Sequence, residues 1–279
     1  MASLLALISS AMWGTADYFA GRMSKHRHPF AVLGLSQIFG LITGVLIVLV
    51  SGDWHGQALG FEGYLLYGAL AGLCGYIGLA CLYEGLSTGR MGVVSPISSM
   101  SAVIPVAYAL ITGDTLTAIT SIGVVIALVG VFCASGPELS NGLPLKPLLL
   151  ALGAAAGFGL ALTFISIGSQ ESALMTMVSM RGATFFVTIA LAMRFKTTGG
   201  FSKKDMPLLI FIGAADFIAN LLLGVATTKG LVSVAMVFGS LYPIATALLA
   251  FKFLNERLHK VQYVGIALAV TGVSIISAF

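Results

Sequence analysis

The stretch 230–243, GLVSVAMVFGSLYP, repeats the stretch 92–105, GVVSPISSMSAVIP. Gly230, Val232, Ser233 and Pro243 each stand 138 residues after Gly92, Val94, Ser95 and Pro105. Downstream, Gly113-Asp114-Thr115-Leu116 faces Asn255-Glu256-Arg257-Leu258, and Gly123 and Gly130 face Gly265 and Gly272, now at an offset of 142. The second copy therefore carries four extra residues. Trp13-Gly14 against Phe158-Gly159 is a weaker third match. Similarity at half the chain length marks an internal duplication, and neither quoted stretch holds a charged side chain.

The rest of the chain is as apolar as these stretches. Of its 279 residues 58% are hydrophobic and 9% charged, against about 25% charged in soluble domains. Such a chain cannot cover itself with polar groups, so lipid must be its surroundings. Its 34 glycines exceed the usual share of about 7%, as expected where membrane helices approach closely. The net charge of +4 does not indicate nucleic acid, because the basic residues lie in short loops. Cys74, Cys81 and Cys133 sit inside apolar segments and read as packing residues. The N-terminus has no Lys or Arg ahead of its apolar run and reads as a first span rather than a cleaved leader.

Apolar runs and turn signals predict ten transmembrane helices, an all-α polytopic membrane protein: 3–21, 30–50, 64–86, 92–112, 116–135, 147–168, 172–193, 206–228, 231–251 and 261–278. With the first link cytoplasmic, all but two of the fourteen basic residues fall at inner loops and helix ends, among them Arg22, Lys25, Arg27, Arg90, Lys146, Lys203, Lys204 and Arg257. Lys229 and the in-helix Arg181 are the exceptions. This bias places both termini outside the cytoplasm. The units are 1–136, a linker at 137–146, and 147–279. Each holds five helices, and an odd count makes the second unit enter from the opposite face. Two inverted repeats around a central cavity are the architecture of many secondary transporters.

Several of these residues, in order and in duplicate, resemble the drug/metabolite transporter superfamily, EamA type. They are Trp13-Gly14, Gly85-Leu86-Ser87-Thr88-Gly89, Ser95-Pro96-Ile97, Pro105, Leu254-Asn255-Glu256-Arg257-Leu258, Gln262, Gly265 and Gly272. The resemblance spans nearly the whole chain. It implies ten helices in two inverted halves, a central cavity, no enzymatic activity, and export of amino acids or other metabolites from a bacterial-type inner membrane. Members often carry an Arg in the second helix. Here that position is Gln37, while the matching place in the seventh helix keeps Arg181.

Candidate substrate-binding residues begin with Arg181 and Asp216, about 14 and 15 Å into consecutive antiparallel helices at 1.5 Å per residue, near the middle of a core about 30 Å thick. Charges are costly there and mark either a functional site or a static pair. Asn220 shares the face of Asp216, and Thr184 and Thr188 that of Arg181. Asp17 and Glu84 are shallower, beside Arg22 and Arg90, and read either as interfacial anchors or as an inner gate. Trp13, one turn above Asp17, reads as cavity wall or packing. Tyr76, Tyr83 and Tyr242 would suit an amphipathic substrate or ordinary packing. Ser98 and Ser101 share a face with Pro105. Pro96, Pro105 and Pro243 each remove an N–H and free the carbonyl four residues earlier. The fourth and ninth helices are therefore expected to be bent walls, gating elements if the bend moves during transport.

The histidines lie in loops, and His26 and His28 sit among cations that would repel a metal. The sequence offers no catalytic triad, phosphate loop, cofactor site or metal cluster. The expected partners are a small-molecule substrate and membrane lipid, with protons a candidate coupling ion. The main reading is an alternating-access exporter or exchanger of small metabolites. A non-transporting membrane sensor or subunit, and a flippase of a lipid-linked metabolite, are the alternatives.

Overall fold

The computed structural model describes residues 1–24, 26–54, 58–60, 63–88, 94, 97–135, 145–195, 199–254 and 259–278. Among these, all regular structure is helical. The helices are α1 (Ala2–Ser24), α2 (Pro29–Ser51), α3 (Tyr64–Thr88), α4 (Val103–Thr112), α5 (Ala118–Ala134), α6 (Leu145–Phe195), α7 (Met206–Thr228), α8 (Val232–Gly239), α9 (Tyr242–Leu254) and α10 (Lys260–Ala278), with a 3-10 turn at Met100–Ala102 ahead of α4. Six helical segments are long and apolar enough to cross a membrane, counting α8 and α9 together, and Ile97–Thr112 and Ala118–Ala134 are shorter apolar ones. This is a multi-pass membrane protein. Leu46, Val50, Ile77, Ile122, Val125, Phe186 and Val270 point outward, where lipid covers them.

The expected helices at 147–168 and 172–193 form one 51-residue segment, α6, interrupted at Ser172 (φ −156°, ψ 112°). At 1.5 Å per residue a straight α6 would reach about 75 Å, more than twice the hydrocarbon thickness, so it doubles back. Gly168 lies against the side chain of Thr176. Along α3, Gly85, Gly78 and Gly75 meet Leu150, Phe158 and Ala161, whereas Gly68 and Gly72 meet Thr176 and Met180. The first limb thus runs against α3 and the second runs with it. The expected ninth helix, 231–251, is likewise two pieces. α8 stops at Gly239 and α9 resumes at Tyr242, because Pro243 has no N–H for the Gly239 carbonyl. In the expected fourth helix, Pro105 falls in the first turn of α4, just past the tight 3-10 turn.

Helix contacts rest on glycine. A Cβ at Gly130 would come within 2.8 Å of the Gly265 carbonyl, and one at Gly272 within 2.6 Å of the Gly123 carbonyl. The rising number on α5 against the falling number on α10 makes the two helices antiparallel. Gly14 abuts the Tyr242 carbonyl in α9, and Gly159 abuts the Ser101 carbonyl ahead of α4, at 2.6 and 2.7 Å for the same test atom. α1 also packs along α7, and α3 along α6.

One apolar core gathers Ala6, Val106, Ala127, Leu223, Met236 and Phe238 from α1, α4, α5, α7 and α8. A second gathers Tyr64, Ile165, Met177, Met180 and Phe217 from α3, α6 and α7. Several hydroxyls donate to their own backbone, as Thr43 does to the Phe39 carbonyl and Thr271 to the Ala267 carbonyl. In lipid this is the partner within reach.

Candidate functional site

Arg181 is buried on the second limb of α6, with its side chain 5% exposed. Its Nη2 donates to Asp216 Oδ2 of α7 at 2.6 Å, and its Nη1 donates to Gln37 Oε1 of α2. Gln37 Nε2 reaches the same Asp216 oxygen at 3.5 Å. Asn220, one turn on, donates to the Asp216 backbone carbonyl at 2.8 Å and to its Oδ1 at 3.3 Å. Thr184 donates to Gln37 Oε1 at 3.3 Å, and the hydroxyls of Tyr76 and Thr188 meet at 2.5 Å. Three helices, α2, α6 and α7, thereby share one polar knot, which Tyr76 of α3 borders. Burying a cation is tolerated when a carboxylate and further acceptors surround it, and here both Nη atoms are engaged. Gly40 leaves room for the guanidinium, since a Cβ there would stand 3.4 Å from Arg181 Nε.

Gln37 and Arg181 occupy matching positions of the two halves and touch each other. An arginine at position 37 would repel Arg181. Gln37 supplies a carbonyl acceptor in place of the second cation.

Beside the knot, Asp17 of α1 is exposed between the buried Ala16 and Tyr18. It shares a face with Trp13 and Gly14. Trp13 meets Tyr242 of α9 edge to face, with ring centroids 6.1 Å apart, and Thr246 of α9 donates to the Gly14 carbonyl at 3.1 Å. Asp216 and Tyr242 lie within electrostatic reach of Asp17. A turn beyond Asp17, a Cβ on Gly21 would meet nothing within 4 Å. Asp17 and Gly21 thus lie on a stretch of α1 with free space beside it.

The other expected site residues are placed as follows. Glu84 is at the surface, where Lys146 Nζ donates to it at 2.8 Å, away from the knot. The Ser98 hydroxyl is used by the Val94 carbonyl at 2.8 Å. Ser101 is buried against Gly159 on the first limb of α6. Pro105 is buried and Pro243 half-buried at the breaks described above. Pro96, Arg90 and the side chain of Tyr83 lie outside the described residues. Asp17 does not pair with Arg22, which is exposed.

A model of the EamA-like transporter family matches residues 1–136 and again 145–278. The chain belongs to the EamA-like transporter family. For this EamA-like chain the double match coincides with the duplication read from 92–105 and 230–243. An uncharacterized protein of Methanocaldococcus jannaschii is 26% identical over 135 residues, which are 48% of this chain and 96% of that protein. That relative is about as long as one half. A solved crystal structure superposes on the EamA-like chain with a TM-score of 0.83 at 16% identity, covering 99% of this chain and 97% of the other, a likeness of fold.

Gln37 and Thr188 carry more of the knot than a search for charges reveals. The signal for Gln37 was its register with Arg181 across the duplication. For Thr188 it was the seven-residue spacing from Arg181, two helical turns along one face.

Proposed function

We propose that this protein is a secondary active transporter that exports or exchanges small metabolites, amino acids among them, by alternating access. Its ten spans form two inverted five-helix halves in a bacterial-type inner membrane, with both termini outside the cytoplasm. Substrate binds among Trp13, Asp17, Tyr76, Arg181, Asp216, Asn220 and Tyr242.

The observation that carries this reading is the polar knot of Arg181, Asp216, Gln37 and Asn220 deep in the apolar helices, with the exposed Asp17 in electrostatic reach of Asp216. Inversion is supported by the pairing of contacts. Gly130 with Gly265 becomes Gly272 with Gly123 when the halves are exchanged, as only an antiparallel pair allows. Gly14 with α9 likewise becomes Gly159 with the segment ahead of α4. The breaks at Pro105 and Pro243 support moving walls, since backbone released from helix in a membrane needs protein or a wet cavity around it.

On one face, Asp114 Oδ2 accepts hydrogen bonds from the Ser233 backbone N–H at 2.8 Å and its hydroxyl at 2.7 Å. This ties the α4–α5 link to the start of α8. On the other side, Arg27 Nη2 donates to Asp205 Oδ2 at 2.7 Å, which ties the α1–α2 link to the start of α7.

The test is uptake of isotope-labelled amino acids by proteoliposomes, with and without a pH gradient. The expectation is counterflow by the wild type and loss of any gradient dependence in Asp216→Asn. A correctly folded wild type that moves nothing from a broad metabolite set would overturn the transport reading. An unchanged pH dependence in Asp216→Asn would remove proton coupling from Asp216.

A further inference from the structure

Leu4, Ile8, Ala11, Thr15 and Arg22 form one stripe along α1, since their spacings follow the helical repeat. Leu4, Ile8, Ala11 and Arg22 are exposed, and Thr15 is half-buried with its hydroxyl donating to the Ala11 carbonyl at 2.7 Å. Two helices flank the end of this stripe. Phe19 meets Phe211 of α7 with ring centroids 5.5 Å apart, and Tyr18 meets Phe253 of α9 at 6.2 Å. At about 100° per residue, Arg22 falls between Tyr18 and Phe19 around the helix axis. It therefore emerges between α7 and α9, where Phe211 and Phe253 are themselves exposed. Asp17, five residues earlier, is turned about 140° away from Arg22. The stripe carries no charge until Arg22 ends it.

Cations without counter-charge gather at that end. Lys252 Nζ lies over the Phe253 ring at 5.5 Å, and the contact of Phe253 with Tyr18 sets it about one turn from Arg22. Lys203 and Lys204 precede α7 and are exposed. They stand level with the α1–α2 link, because the next residue, Asp205, pairs with Arg27. Arg27 is taken by that carboxylate. Arg22, Lys203, Lys204 and Lys252 have no carboxylate within ion-pair distance among the described residues.

Four unmatched cations at the foot of an apolar, lipid-facing stripe call for an anion with an apolar tail. A basic patch at a membrane surface draws anionic lipid, and an Arg can hold a phosphate through two N–H groups at once. A free anion would leave the stripe uncovered, and a zwitterionic lipid brings a cation of its own beside the phosphate. The reach also fits. From Arg22 to Ala11 is about 16 Å of helix, half of a hydrocarbon core about 30 Å thick and so the depth of one leaflet.

We propose that the groove floored by α1 and walled by α7 and α9 is a binding site for an anionic phospholipid. Arg22 and Lys252 hold the phosphate, Lys203 and Lys204 surround the headgroup, and an acyl chain lies along Thr15 and Ala11. The site goes beyond the transport reading and does not rest on it.

The test is native mass spectrometry of the full-length protein released from detergent micelles. It is titrated with dioleoyl-phosphatidylglycerol and with dioleoyl-phosphatidylcholine, which share their chains and differ in headgroup charge. The glycerol lipid should bind about fivefold tighter or more. Arg22→Gln and Lys252→Gln should each weaken its binding about fivefold and leave the choline lipid unchanged. Lys229→Gln, the same loss of charge at the far end of α7, should change neither. Glycerol 1-phosphate, a headgroup without chains, should displace no lipid at equal concentration. Equal affinity for the two lipids overturns the site. So does a Lys229→Gln effect as large as that of Arg22→Gln, which would show diffuse attraction to a basic protein. Displacement by glycerol 1-phosphate would make the ligand a free phosphate ester and reject the lipid. If one variant fails to fold, the other, together with the headgroup comparison on the parent protein, decides.

Discussion

Replacing Asp216 with Asn leaves the Arg181 guanidinium buried with only neutral acceptors, the Gln37 carbonyl and the new amide oxygen. The pair is 2.6 Å apart between Nη2 and Oδ2, with 5% and 27% of the two side chains exposed. At a charge separation of about 4 Å and an effective dielectric near 20, the attraction is worth roughly 4 kcal/mol. Stranding one charge of a buried pair costs about 3–5 kcal/mol. A neutral interhelical hydrogen bond in a membrane averages only about 0.6 kcal/mol. The ion pair therefore dominates the knot, and the double variant Arg181→Gln/Asp216→Asn should recover about 2 kcal/mol or more of the summed losses of the single variants. The assay is reversible unfolding in mixed micelles, run as a double-mutant cycle. Additivity within about 0.5 kcal/mol would refute the reasoning and show that packing, not charge, holds α6 to α7.

Gly130→Ala sets a methyl about 2.7 Å from the Ala269 Cα and should lower stability by about 1–3 kcal/mol, whereas Gly182→Ala, where a Cβ meets nothing within 4 Å, should be neutral or raise it by up to about 1 kcal/mol; thermal denaturation in detergent separates the two. Ser233→Ala removes one of the two bonds to Asp114 and should cost about 1 kcal/mol, seen as faster hydrogen exchange in the first turn of α8. At the opposite face, the Ser202 N–H, followed by the Ser202 hydroxyl and Arg27, holds the Asp205 carboxyl below its usual range. A lowered value means its contribution is complete above the ordinary carboxylate range and lost as pH falls through the lowered value, so the exchange protection factors of residues 199–205 should be flat from pH 8 to 5 and fall in acid, and Asp205→Asn should remove that acid fall.

The membrane class, the duplication and most helices were legible because lipid demands long apolar runs, and repeated glycines betray close contacts. The break between α8 and α9 was legible as a bend through Pro243, though not as an interruption. The turn at Ser172 was placed by length, since Ser172 itself has no distinctive turn chemistry. In the site, Arg181 and Asp216 stood out because charge is rare in such helices. Gln37 did not, because an amide in a helix carries little signal until its opposite number is known. Asp17 was read as a substrate-site candidate that could equally be an interfacial anchor near Arg22 or part of an inner gate. Its exposure depends on which helices surround α1, and no local pattern encodes that.

The α5–α10 seam has an economy of its own. Because its two glycine contacts are images of one another, a change that suits one edge suits the other, and a single half already contains both the knob and the socket. A half-length unit that pairs through such a surface with a second copy of itself needs no separate partner to evolve alongside it.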